Sequence, residues 1–101
     1  MTLYARQGKL VAWPGQRDAL AAVMLDEKAA LASMPGCRLY LILANEQEPD
    51  TLLVTELWDS AEAHQASLSL PSVAETIARA RPLLERVEGE ELIFLGGTGL
   101  E

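Results

Sequence analysis

Residues 51–73, TLLVTELWDSAEAHQASLSLPSV, decide the fold of this chain because they change from a strand pattern to a helix pattern within a few positions. The first eight residues alternate in character, which places Glu56 and Trp58 on one face of a predicted strand. The helical part contains His64, the only histidine of the chain. We therefore expect any chemistry of the protein to centre on this strand-to-helix turn.

Two helices are predicted after the turn. Asp59 and Glu62 form a capping-box-like start for the first, which continues through a run of good helix formers. Ser72 and Glu75 repeat this signature before an apolar stripe at helical spacing. The second helix should end or kink near Arg81, because the proline that follows cannot extend the hydrogen-bond ladder.

The residues before the turn predict a strand, a helix and another strand. Residues 2–13 have strand character and stop at a Pro-Gly turn signal. Residues 16–34 carry apolar side chains at steps of three and four, as a helix with one buried face requires, and a second Pro-Gly pair ends them. Residues 37–46 alternate as a strand that is apolar on both faces, and the polar loop 47–50 joins them to the opening stretch as a hairpin.

The C-terminal part completes the predicted fold. Residues 87–95 return to a strand pattern, and residues 96–99, GGTG, form a flexible tail. The order β-α-β-β-α-β, with the second α split in two, predicts one α+β domain over residues 1–101, with a ferredoxin-like arrangement of helices on one face of a four-stranded antiparallel sheet. Because the helices can cover only one face of strand 37–46, we expect two sheets to pack face to face in a homodimer.

Composition excludes several classes of function. A net charge of −7 opposes binding to nucleic acid, and no window has the 18 or more apolar residues that a membrane span needs. The N-terminus MTLYARQGKL lacks the features of a secretory signal, which predicts a cytoplasmic protein. A single cysteine, Cys37, and a single histidine leave no plausible metal site, and we interpret Cys37 as a packing residue.

Each candidate site residue has a structural alternative. His64 titrates in the range that acid–base catalysis uses, although a lone histidine in an alanine-rich helix is more often a surface or partly packed residue. Trp58 suits the wall of a cleft or simply core packing. Glu56 is a usable base if burial raises its pKa, or the partner of Arg6, Arg38 or another chain in a salt bridge. Tyr40 belongs to the core or offers its hydroxyl to a substrate.

Several motifs, taken in their order along the chain, resemble the antibiotic biosynthesis monooxygenase family, a group of small dimeric α+β barrels. They are Pro14-Gly15 before the first helix, Pro35-Gly36-Cys37 with Tyr40 after it, Glu56-Leu57-Trp58 with Asp59-Ser60 at the strand-to-helix turn, and Pro71 before the last helix. Many members of the family carry their histidine about one helical turn later than His64, at the position of Ser67 here.

The resemblance implies a cofactor-independent monooxygenase that acts on quinol-like or polyketide-derived aromatic molecules with dioxygen. Such chemistry needs a base that deprotonates the substrate, an apolar pocket and donors for the resulting anion. His64 or Glu56 would be the base, Trp58 an aromatic wall, and Asn45 or Arg81 the orienting donors, with no cofactor and no metal. Arg81 could equally belong to a solvated helix face.

Two other functions are compatible with the resemblance. One is a non-catalytic module that binds a small apolar ligand, for example in a stress response. The other is haem degradation, in which His64 would be the axial ligand.

Overall fold

The computed structural model describes residues 3–26 and 34–99, and it confirms the predicted α+β fold. The four strands form an antiparallel sheet in the order β2-β3-β1-β4. The strands are β1 (Tyr4–Ala12), β2 (Cys37–Asn45), β3 (Glu48–Trp58) and β4 (Leu84–Ile93), and the helices are α1 (Arg17–Met24), α2 (Ala61–Ser67) and α3 (Pro71–Ala80), with a 3-10 turn at Arg81–Leu83. As predicted, the helix before Pro82 ends at the start of that turn.

Several boundaries differ from the predicted ones. The first helix was expected over residues 16–34, but α1 ends at Met24, and residues 27–33 lie outside the described part of the chain. The predicted loop 47–50 is mostly strand, because β3 already starts at Glu48 and leaves a tight hairpin turn. The side chain of Asn45 stabilises this turn, since its Oδ1 accepts a hydrogen bond of 2.9 Å from the backbone N–H of Gln47.

Helix α2 is capped one residue later than predicted. The Ser60 hydroxyl oxygen accepts a hydrogen bond of 3.0 Å from the backbone N–H of Ala63, so Ser60 and not Asp59 is the N-cap. The Asp59 carboxylate instead pairs with the guanidinium of Arg38. This ion pair and the cap together hold the strand-to-helix turn in place.

Helix α3 begins without the predicted serine cap. Its first residue is Pro71, whose fixed φ suits the first helical position, and Leu70 at the N-cap makes no side-chain hydrogen bond. Ser72 lies inside the helix, where its carbonyl oxygen accepts a hydrogen bond of 3.0 Å from the Thr76 hydroxyl. The prediction that Ser72 and Glu75 mark the start of this helix was therefore wrong. The N-cap is Leu70, two residues before Ser72.

Three rows of side chains cross the sheet on the face that the helices cover. The register of the strands defines them, and each row takes one residue from each strand in the order β2, β3, β1, β4. We call them the polar row (Tyr40, Glu56, Arg6, Glu91), the glycine row (Ile42, Val54, Gly8, Gly89) and the apolar row (Ala44, Leu52, Leu10, Val87). Polar and apolar groups are thus separated along the strands.

The core on this face forms two clusters. One joins α1 and α3 to the sheet through the fully buried Leu20 and Leu52, together with Ala12 and Ala80. The other is built on Trp58, only 1% exposed, beneath α2 and the start of α3. A space remains between the two clusters.

The opposite face of the sheet is exposed along its edge strands in the single chain, whereas Ala5 and Leu57 of the two central strands are only 7% and 9% exposed. Leu41 and Leu43 of β2 are 44% and 47% exposed, and Leu92 of β4 is 45% exposed. Within residues 3–26 and 34–99, no helix is long and apolar enough to cross a membrane.

Candidate active site

A cavity of about 480 Å³ lies between the helix-covered face of the sheet and the helices. Its apolar part is lined by residues such as Leu10, Val73 and Ile77. At one end the cavity is lined by polar groups of the polar row and by His64 of α2. Further polar side chains along the lining are Gln7, Ser67, Thr76, Arg81 and Glu88. A largely apolar cavity with a few convergent polar groups is the usual form of a small-molecule site.

Glu56, Trp58 and His64 form one contact group at the polar end of the cavity. The indole N–H of Trp58 donates a hydrogen bond of 3.0 Å to Oε1 of Glu56, as their shared face of β3 predicts. His64 Nε2 lies 3.9 Å from the same oxygen. The side chains of His64 and Glu56 are only 16% and 13% exposed, so both groups are largely withdrawn from water.

The imidazole of His64 is held between two aromatic rings. Its ring centroid is 5.4 Å from that of Trp58 in an edge-on arrangement and 5.7 Å from that of Tyr4. Burial lowers the pKa of His64 below its ordinary value of 6.5, while the charge of Glu56 acts in the opposite direction. The imidazole is therefore neutral at pH 7 and can accept a proton, and the carboxylate beside it would stabilise the imidazolium.

Arg6 faces Glu56 across the β1–β3 ladder and is the main group that the sequence analysis did not place in the site. Its guanidinium donates a hydrogen bond of 2.8 Å to the Tyr4 hydroxyl, and this bond is the largest cause that raises the pKa of Arg6. An ion-pair contact of 3.9 Å also joins the Arg6 guanidinium to the Glu91 carboxylate. The expected partners of Glu56 were Arg6, Arg38 or another chain; Arg38 binds Asp59 instead, which leaves Arg6 as the neighbouring cation.

A second, more polar hollow of about 310 Å³ adjoins the cavity on the side of α2. It is lined by Tyr4, Glu62, Gln65 and Glu91. Arg6 and His64 line both spaces, so the two cationic or protonatable groups of the site stand between the apolar cavity and a polar opening.

Of the three predicted substrate-binding residues, two line the cavity and one lies outside it. Tyr40 lines the cavity beside Glu56, and burial raises its pKa far above the ordinary value, so its hydroxyl stays protonated and can donate a hydrogen bond. Arg81 also lines the cavity but is exposed and follows Ala80 of the other core cluster. Asn45 lies outside the cavity, because it closes the hairpin turn at the far end of β2.

Ser67, the position to which the family resemblance would assign a histidine, also lines the cavity. It is 4% exposed, and its hydroxyl donates a hydrogen bond of 2.6 Å to the backbone carbonyl of His64. The two residues are one helical turn apart on α2, so a side chain from either position reaches the same cavity. His64 and Ser67 thus both line the cavity.

The chain belongs to the antibiotic biosynthesis monooxygenase family, whose model matches residues 4–79. It is 47% identical to a Chloroflexus aurantiacus protein that is provisionally named an antibiotic biosynthesis monooxygenase; the two structures have a TM-score of 0.89 over 98% of this chain and 99% of the other. A Nitrosomonas europaea protein of unknown function is 26% identical, with a TM-score of 0.80 over 97% and 94% of the two chains. None of the curated proteins matches the chain significantly. Family membership supports a monooxygenase-like role.

Proposed function

We propose that the protein is a cofactor-independent monooxygenase of quinol-like aromatic molecules, including polyketide-derived ones. The observation that carries this proposal is the position of the His64 imidazole, which is largely buried and lies 3.9 Å from the Glu56 carboxylate, at one end of a largely apolar cavity. The name of the Chloroflexus aurantiacus relative points in the same direction.

The first step requires a base and donors, and the polar end of the cavity supplies both. His64 takes the proton of a substrate hydroxyl, and Glu56 stabilises the imidazolium that results. Arg6 and Tyr40 flank Glu56 in the polar row, so they supply donors for the anionic oxygen. Apolar walls exclude water and strengthen these interactions.

The anion then reacts with dioxygen. One electron passes from the anion to dioxygen, and the substrate radical and superoxide combine to form a carbon–oxygen bond. The resulting peroxide anion takes back the proton held by His64, and the hydroperoxide loses water. For a hydroquinone the balance is one quinol plus one dioxygen giving one hydroxyquinone plus one water. All four electrons that reduce dioxygen come from the substrate.

This proposal is tested by dioxygen consumption with 1,4-naphthohydroquinone and no added cofactor. We expect uptake well above the autoxidation rate, with one dioxygen consumed per hydroxyquinone formed. Uptake equal to that of buffer across a panel of quinols would sink the proposal. Saturable binding of the same quinols without turnover would instead favour a non-catalytic ligand-binding module.

We also propose that two chains pair through the open face of the sheet. Leu41 and Leu43 form an apolar strip that the helices of the same chain cannot reach. A sheet face of this kind is stabilised by burial against a second sheet, which would give the predicted homodimer.

Substitution of Leu43 by aspartate is expected to dissociate such a dimer, because a carboxylate would then be buried without a partner. Light scattering after size exclusion should give twice the mass of one chain for the wild type and the mass of one chain for Leu43→Asp. The matched control is Leu25→Asp, which changes a 62% exposed leucine at the end of α1 and should remain dimeric. A wild-type chain that is monomeric, or a Leu43→Asp variant that is not, contradicts the proposal.

A further inference from the structure

Two glycines occupy the centre of the cavity floor. Gly8 of β1 and Gly89 of β4 are direct partners in the antiparallel ladder, and both line the cavity. A glycine inside a strand weakens it, since it costs conformational entropy and packs no side chain. Two such residues side by side therefore require a reason.

Backbone conformation does not explain the presence of these two glycines. Neither residue is among the glycines with positive φ, which are Gly15, Gly36 and three residues of the C-terminal tail. A Cβ atom on Gly8 would meet nothing closer than 3.8 Å, and one on Gly89 would lie 3.5 Å from Nη2 of Arg6. Both distances are ordinary van der Waals contacts, so a small side chain would fit at either position. The absence of side chains at Gly8 and Gly89 therefore affects mainly the space available in the cavity.

The position of the pair along the strands gives it a function. The glycine row lies between the polar row and the apolar row, each two residues away. Four residues of strand span about 13 Å, so the floor is long enough for fused rings between its polar and apolar ends. Val73 and Ile77 of α3 line the same cavity. The cavity therefore includes a slot between α3 and the strand backbone at Gly8 and Gly89, where no side chains project.

We propose that Gly8 and Gly89 form the floor on which a planar fused-ring phenol lies, with its hydroxyl at the polar row. The pair determines substrate size, since bare backbone admits rings where side chains would exclude them. This inference rests on the proposed function, because the proposed function identifies the ligand as a phenol. Gly8 is the better position for a test, because Arg6 lies over Gly89 and would move with a larger side chain there.

The test measures binding by isothermal titration calorimetry with phenol, 1-naphthol and 9-phenanthrol. Gly8→Val is expected to weaken 9-phenanthrol binding by at least about tenfold, because added methyl groups would overfill the slot, and phenol binding by less than about threefold. Gly8→Ala should give an intermediate loss for the largest ligand. The thermal midpoint of Gly8→Val should not fall, since a β-branched residue suits a strand.

Lys9→Val is the matched control, because it places the same valine side chain at the neighbouring position on the opposite face of β1. It also removes a partly exposed ion pair between Lys9 and Glu48, which lies away from the cavity. It should leave the affinity for all three phenols unchanged. Equal losses for all three ligands in Gly8→Val, or no loss for any, would overturn the inference. Failure of the wild type to bind any of the phenols would overturn both this inference and the proposed function, whereas size-dependent binding without turnover would support the floor and overturn the proposed oxygenase activity.

Discussion

His64→Gln is expected to lower kcat/KM for 1,4-naphthohydroquinone by about 10²- to 10⁴-fold, because a positioned general base contributes an effect of that size. Glutamine keeps a polar side chain of similar reach but cannot take up a proton. Steady-state dioxygen uptake measures the loss. The control is Glu75→Gln, which changes an exposed residue of α3 outside both cavities and should stay within about twofold of the wild type.

The pH dependence of kcat/KM distinguishes a general base from a residue that only stabilises the structure of the site. The active form of His64 is neutral, so kcat/KM should rise with pH through a pKa below 6.5 and then level off. Glu56→Gln removes the charge that raises this pKa, so the acidic limb should move to lower pH. An unchanged acidic limb in both His64→Gln and Glu56→Gln would contradict the assignment of the base.

Trp58→Ala is expected to destabilise the fold by about 3–5 kcal/mol, the usual cost of removing a fully buried aromatic side chain. Trp58 is 1% exposed, and its indole N–H is bound to Glu56, so the variant also leaves a buried carboxylate with one partner fewer. Urea unfolding followed by circular dichroism, at one fixed protein concentration, measures the change in the free energy of unfolding.

The second tryptophan of the chain provides the control for this prediction. Trp13 is 49% exposed, so Trp13→Ala should cost less than about 1 kcal/mol. Trp58→Phe keeps an aromatic ring but loses the hydrogen bond to Glu56 and part of the buried indole, and it should fall between the other two variants. Equal losses in Trp13→Ala and Trp58→Ala would show that Trp58 is not a centre of the core.

The strand-to-helix turn could be predicted because its signals are local. Alternation along β3 is enough to place Glu56 and Trp58 on one face, and the hydrogen bond between them agrees with that prediction. The exact cap was missed, since Asp59 and Ser60 are equally good caps by residue type and the ion pair with Arg38 decides between them. That contact joins residues 21 positions apart.

The rest of the site depends on strand register, which alternation alone does not determine. Arg6 lies opposite Glu56 only because β1 pairs with β3 in this register, and Gly8 lies opposite Gly89 only through the pairing of β1 with β4. Asn45 was expected to bind substrate, but the tightness of the hairpin turn places it at the end of the sheet instead. Residue type identified Arg6 as a candidate partner of Glu56, but it indicated neither the glycine pair nor the position of Asn45.

The central claim is that His64 and Glu56 start a reaction in which dioxygen supplies one atom to the aromatic product. The most direct measurement follows isotopically labelled dioxygen into the hydroxyquinone formed from 1,4-naphthohydroquinone by the wild-type protein and by His64→Gln. We predict one labelled oxygen atom per product molecule with the wild type, at a rate far above that of the variant. Unlabelled product, or labelled product formed equally fast by both proteins, would contradict the claim.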